Sequence, residues 1–221
     1  MIDRLHYISQ ENEKTDHITA ILAALNAGAK WIQLRVKNKS QDEVLALAEA
    51  ANQLCKKFAA RLIINDFPEV ARAVSAYGLH LGLNDMSIIN ARLIVGKEMK
   101  IGGTANTFTD IQKRVQEGAD YIGLGPFRFT KTKQQLSPIL EISGYNEIMD
   151  QVRSAGITTP IIAIGGIEFP DLSALLKTGI YGLAFSGALT HAPDPAEMIR
   201  LMYQQLENPA LFSLKKNTLS C

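Results

Sequence analysis

Short apolar runs alternate with longer segments whose apolar residues recur at helical spacing, and the alternation repeats along most of the chain. Leu5–Ser9 reads as a strand, and His17–Ala29 as a helix that stops near Gly28. Trp31–Val36 is the second strand. Gln41–Phe58 is a long Ala- and Leu-rich helix, with Ser40 as its N-cap. Further strands are predicted at Leu62–Ile64, Gly78–Gly82, Lys100–Thr104, Tyr121–Gly125, Pro160–Gly165 and Gly182–Gly187. Further helices are predicted over Glu69–Ala76, Ser87–Val95, Thr107–Glu117, Tyr145–Ser154, Asp171–Lys177 and Pro195–Leu206, some closed by a glycine such as Gly118 or Gly156.

Eight strands alternating with eight helices imply a parallel sheet. The strands are nearly continuous apolar runs, as expected where helices cover the sheet. The pattern fits an α/β fold, a single (β/α)8 TIM barrel over residues 1–207, with a C-terminal extension at 208–221. A doubly wound open sheet would want a glycine fingerprint after an early strand. Leu5–Ser9 is instead followed by Gln10-Glu-Asn-Glu-Lys14, without glycine.

Composition narrows the function classes. The chain has 221 residues, is 47% hydrophobic and 20% charged, and carries a net charge of +1. A domain of this length buries roughly 70% of the surface of its unfolded chain. So small a net charge generates no field for nucleic acid or a membrane surface, and any anion site must be local. No apolar run reaches the ~18 residues of a membrane span, and Met1–His6 lacks a signal peptide's apolar core. Cys55 and Cys221 have neither metal-ligand nor redox spacing. A reduced, cytoplasmic protein is expected.

In a barrel the chemistry lies at the C-terminal ends of the strands. Strand two delivers Gln33, Arg35 and Lys37, spaced by two and so on one side of the strand, with Leu34 and Val36 facing the helices. Strands three and four end in Asn65-Asp66 and Asn84-Asp85. Two carboxylates at one mouth repel by about 4 kcal/mol at 4 Å with an effective dielectric near 20. A divalent cation relieves this, and Mg²⁺ typically takes one or two carboxylates plus substrate phosphates. Either aspartate alone would read as a helix N-cap. Strand five ends in Gly102-Gly103-Thr104. Strand six runs through Gly123-Leu-Gly-Pro126 into Thr130-Lys-Thr-Lys133, where hydroxyls and ammonium groups gather without paired acids. Gly165-Gly166 after strand seven and Ser186-Gly187 after strand eight can bring backbone N–H groups to a phosphate. His6 and His80 lie in strands and read as core residues, whereas His17 and His191 read as peripheral. No Cys or Ser–His pair suggests covalent catalysis.

These pieces together resemble the thiamine phosphate synthase (thiamine-phosphate pyrophosphorylase) family. The match covers most of the chain: Gln33-Leu-Arg-Val-Lys37, Asn65-Asp66, His80-Leu-Gly-Leu-Asn-Asp85, Ile101-Gly-Gly-Thr104, Asp120-Tyr-Ile-Gly-Leu-Gly-Pro126 with Thr130–Lys133, Ala163-Ile-Gly-Gly-Ile167 and Ser186-Gly187. The resemblance implies a Mg²⁺-dependent transferase with two small phosphorylated heterocyclic substrates. It joins hydroxymethylpyrimidine diphosphate to a thiazole phosphate, carboxylated or not, through a pyrimidine carbocation, and releases pyrophosphate. By position, Gln33, Arg35, Lys37, Asn65, Thr104 and Lys133 would take the diphosphate substrate. Arg35, Lys37 and Lys133 would stabilise the leaving group, and Asp66 and Asp85 would hold the metal. Thr130, Thr132, Gly165, Gly166, Ser186 and Gly187 would take the thiazole phosphate. The chain departs from the family pattern at Phe67, where Arg is frequent, at Leu83 for Gln, at Thr104 for Ser and at Asn106 for His. Phe127-Arg-Phe precedes Thr130 without the usual proline, and Ser186-Gly187 replaces a more usual apolar-Ser pair.

Three rival readings remain at this stage. A thiazole tautomerase would share the barrel but not need Arg35, Lys37, Asp66, Asp85 and Lys133 together. A non-catalytic phosphate-ligand-binding barrel would release no pyrophosphate. A sugar or amino-acid isomerase would want a general acid and base at the mouth. The oligomeric state, including a homo-oligomer, is left open.

Overall fold

The computed structural model describes residues 1–12, 15–129 and 138–208. Eight parallel strands close into a barrel in chain order: β1 (Leu5–Ile8), β2 (Trp31–Leu34), β3 (Arg61–Asn65), β4 (Gly78–Leu81), β5 (Lys100–Ala105), β6 (Tyr121–Leu124), β7 (Ile161–Ala163) and β8 (Gly182–Phe185). β8 pairs back onto β1, with Leu5 opposite Leu183 and Tyr7 opposite Phe185. The outer helices are α1 (His17–Asn26), α2 (Gln41–Lys57), α3 (Pro68–Ala73), α4 (Ile88–Val95), α5 (Phe108–Gln116), α6 (Glu141–Ser154), α7 (Leu172–Lys177), α8 (Gly187–Thr190) and α9 (Pro195–Glu207). The expected single (β/α)8 TIM barrel is the observed fold. Of the expected extension at 208–221, all but Asn208 lies outside the described residues. No helix among the described residues is long and apolar enough to cross a membrane.

Strand alternation divides the apolar residues into two cores. Outward residues such as Leu34, Ile64, Leu79, Ile101 and Leu124 pack under the helices. Inward residues Ile8, Trp31, Ile63, Tyr121, Ile162 and Ala184 fill the barrel. The lower barrel is an aromatic plug: His6 stacks on Trp31 at 4.5 Å, and Tyr121 meets both rings edge-on. A β-carbon at Gly102 would overlap the Tyr121 ring, so β5 yields its inward position to that side chain. The Trp31 indole N–H is buried without an acceptor among the described residues.

Local sequence explains most helix starts. Ser40 and Glu43 form a full capping box on α2. Thr107 and Asp110 form one on α5. Pro68 opens α3. Several element bounds differ from expectation, and α1, α3 and β7 each end earlier than expected. β2 stops at Leu34, so Arg35 and Lys37 sit in the following loop rather than in the strand. α6 begins at Glu141, four residues before the expected Tyr145. The short helix α8 has no counterpart in the sequence pattern, because a four-residue helix straight after a strand carries no periodicity.

Candidate active site

The strand ends surround a cleft of about 650 Å³. Gln33, Arg35, Asn65, Thr104, Gly165, Gly166, Ser186 and Gly187 all line it. Lys37, Asp66 and Asp85 stand beside it rather than in its lining. Thr130, Thr132 and Lys133 lie outside the described residues.

On the β2–β5 side the wall is polar and mostly buried. Gln33 and Asn65 are both buried, and the Gln33 amide N–H donates to Asn65 Oδ1 at 2.8 Å. Leu34 and Val36 point outward, as their spacing requires. Arg35 is placed by its backbone: its N–H donates to Ser9 Oγ at 3.2 Å. Burial lowers its guanidinium from the usual value, against the favourable fields of Asp66 and Asp85.

Asp66 is held by the turn after β3, at φ 69°. It caps nothing: the N-cap of α3 is Phe67 and that of α4 is Ser87. Its carboxylate takes a bond from Lys37 Nζ at 2.5 Å and lies in hydrogen-bond contact with the Asp85 carboxyl. Burial and Asp85 push Asp66 up to about 6, against the pull of Lys37. Asp85 also accepts the Gly82 N–H at 2.6 Å, which fixes its turn. The two aspartates therefore converge, as expected of a cation site with two carboxylates. Among the described residues there is no cluster of three or more His, Cys, Asp or Glu that could hold a metal. A cation here would complete its shell from water or substrate oxygens, as Mg²⁺ does.

Behind this wall, Arg114 is almost wholly buried. It pairs with Glu117 at 2.8 Å and donates to the carbonyls of Thr104 at 3.3 Å and Gly82 at 2.6 Å. It ties α5 to the ends of β4 and β5. Asn106 donates to the Gly125 carbonyl and links the ends of β5 and β6.

The opposite wall joins backbone groups to side chains. Gly165 and Gly166 have φ values of 96° and 68°, and a β-carbon on either would press on the Pro126–Phe129 segment. The carbonyls of Ile164 and Gly165 accept from Phe127 N–H and Arg128 N–H, both at 2.9 Å. The N–H groups of Gly165, Gly166, Gly187 and Ala188 have no acceptor among the described residues. Ser186 Oγ donates to Gln10 Oε1 at 3.2 Å, and the Gln10 amide N–H donates to His191 Nε2 at 3.3 Å. Unsatisfied N–H groups around a cleft suit an anion.

Five polar lining residues fall outside the expected site: Ser9, Gln10, His80, Glu168 and His191. Ser9 and Gln10 follow β1, and reading that strand's end as the others were read would have found them. His80 faces inward from β4, as expected, but lines the cleft and contacts Thr104 Oγ1 and Tyr121 OH, each at 3.1 Å. His191 follows α8 and had no sequence signal. His17 is buried rather than peripheral, and its Nδ1 meets Ser9 Oγ at 2.9 Å. A Ser–His pair therefore exists. Its serine oxygen also accepts the Arg35 N–H, so it braces the loop that carries Arg35.

Comparison with known proteins bears on what such a cleft does. The family model for thiamine monophosphate synthase matches residues 5–189. A Flavobacterium johnsoniae protein named thiamine-phosphate synthase is 48% identical over 206 residues, covering 93% of this chain and 97% of that one. A Bacteroides fragilis protein of the same name is 47% identical over 193 residues, covering 87% and 95%. Among solved structures, the thiamine phosphate pyrophosphorylase of Pyrococcus furiosus superposes with a TM-score of 0.80 at 27% identity, covering 94% of this chain and 96% of that one.

Proposed function

The chain belongs to the thiamine monophosphate synthase family, an enzyme family of thiamine biosynthesis, and from that premise we propose how its cleft works. The substrates are hydroxymethylpyrimidine diphosphate and a thiazole phosphate, joined to give thiamine phosphate and pyrophosphate. The observation that carries this reading is the division of the cleft. One wall gathers Gln33, Arg35, Asn65 and Thr104 beside the Lys37–Asp66–Asp85 cluster, and the other offers backbone N–H groups at Gly165, Gly166 and Gly187 that have no acceptor among the described residues. Two walls of different chemistry suit two phosphorylated substrates meeting between them.

In this mechanism the C–O bond between the pyrimidine methylene and the diphosphate breaks, and the electron pair leaves with pyrophosphate. The carbocation left behind is captured by the thiazole nitrogen lone pair, which forms the new C–N bond. Arg35, Lys37 and Lys133 stabilise the charge that develops on the departing group. Gln33 and Asn65, already bonded to each other, orient the pyrimidine diphosphate. Asp66 and Asp85 would hold Mg²⁺, which when bound supplies further neutralisation of the departing pyrophosphate. The two carboxyl groups lie in contact, and a cation between them would relieve their repulsion. Gly165, Gly166, Ser186 and Gly187, with Thr130 and Thr132, hold the thiazole phosphate. No strong base is needed, because the thiazole nitrogen attacks with its own lone pair. Positioning does most of the work.

The test is product formation. The purified protein with both substrates and Mg²⁺ should yield thiamine phosphate, identified by mass. Asp85→Ala and Lys133→Ala should each lower turnover by about 10²-fold or more, the scale of removing a transition-state stabiliser, with melting temperature unchanged. Near-normal turnover in both variants would overturn the diphosphate assignment.

A further inference from the structure

Arg128, which follows the cis Gly125-Pro126 bond, crosses from the β6 loop to the β7 loop. Its guanidinium grips Asp171 with both nitrogens, at 2.5 and 2.6 Å, and one of them also donates to the Gly166 carbonyl at 3.2 Å. The guanidinium carbon stands 4.6 Å over the Phe127 ring. Asp171 in turn accepts the Glu168 N–H at 2.8 Å. Arg128 N–H holds the Gly165 carbonyl, and a Gly166 β-carbon would come within 2.9 Å of Arg128 Cβ. Among the described residues, every hydrogen bond Arg128 makes across this gap is therefore to the turn 165–171.

The consequence is directional. Arg128 and Phe127 draw the carbonyls of Ile164, Gly165 and Gly166 toward the β6 loop. The Gly165 and Gly166 N–H groups, on residues that line the cleft, are left without acceptors among the described residues. The glycines alone are free to adopt many conformations. A fork with three simultaneous acceptor contacts selects one.

We infer that Arg128 is a positioning residue: its pair with Asp171 presets the Gly165-Gly166 turn so that its N–H groups receive the phosphate of the thiazole substrate. This rests on the two-substrate reading above. The Arg128 side chain is about half exposed (46%), and such pairs add little to folding stability. The effect belongs in substrate binding, not in the melt.

Steady-state kinetics with each substrate varied separately test it, using Arg128→Met and Asp171→Asn. The Asn side chain keeps an oxygen for the Glu168 N–H while removing the charge that holds Arg128. Both variants should raise KM for the thiazole phosphate by roughly tenfold, the loss expected for charge-assisted bonds. KM for the pyrimidine diphosphate and the melting temperature should stay near the wild-type values. Arg128→Lys, which keeps a single point charge, should fall between. An unchanged thiazole phosphate KM in either variant overturns the inference, as does an equal rise for both substrates. Absence of turnover in the wild-type protein would instead refute the synthase reading itself.

Discussion

His6 is fully enclosed in the barrel plug, and burial lowers it to about 3 while the Asp3 carbonyl pulls the other way. His80 lies near enough to oppose its charge further. The unfolded chain binds a proton at His6 below about 6.5, whereas the folded protein does so only near 3. Between those values the unfolded state holds more protons, so stability rises with pH and is lost on acidification, by up to about 1.4 kcal/mol per unit. Burial shifts His17 in the same direction, so part of the slope is its own. His6→Phe should keep the stack on Trp31 and shrink the fall in stability between pH 7 and pH 5 by about 2 kcal/mol. Chemical denaturation at the two pH values checks this, and an unchanged fall would contradict a neutral buried His6. At this scale the sequence was legible where polarity broke an apolar run. Gln33, Arg35 and Thr104 stood out that way and all reach the cleft. His80 stood out too, but whether an inward histidine faces the plug or the mouth depends on its height in the barrel, which strand register sets. Ser9 and Gln10 interrupt no apolar run, so only their place at the end of β1 marks them.

Among the elements, α5 does most to join the outer ring to the mouth. Arg114 on its inner face answers two strand-end carbonyls and Glu117, and Glu117 also accepts the Ile88 N–H that opens α4. Arg114→Met would leave Glu117 charged, almost buried and without its main partner. The expected loss is about 3–5 kcal/mol of unfolding free energy, the cost of breaking a buried pair. Urea denaturation measures it, and a loss below about 1 kcal/mol would contradict a clamp. For α2, Ser40→Ala removes the side-chain half of a complete capping box and should cost about 1 kcal/mol. The start of α2 is legible in the sequence from Ser40 alone, whereas Ser87 reads as the first residue of α4 and is its N-cap. The start of α6 is not legible, because Leu140 precedes it with no side-chain cap and Glu141 enters at φ 50°. Strand ends were read too long at β2 for a plain reason. Val36 stays buried beyond the last ladder pair, at Leu34, so apolar pattern outlasts hydrogen bonding there.

The whole barrel follows from one rule applied repeatedly: apolar runs too short to stand alone, each followed by an amphipathic helix. Eight such units leave no exposed edge when the last strand meets the first, and β8 pairs with β1 over three residues. Closure then gathers polar residues that are far apart in sequence at one mouth. That is why Arg35, Asn65, Thr104, Gly165 and Ser186 could be grouped before any geometry was known. What closure alone could not reveal is the inequality of the two walls. The Lys37–Asp66–Asp85 cluster stands beside the cleft rather than in it, and the facing wall adds backbone N–H groups to the side chains of Gln10, Glu168, Ser186 and His191. The most direct test of this division is release of pyrophosphate from hydroxymethylpyrimidine diphosphate, with and without the thiazole phosphate and with and without Mg²⁺. The account predicts release only when both substrates and the metal are present. Release that ignores the metal, or no release while the thiazole phosphate still binds, would contradict it.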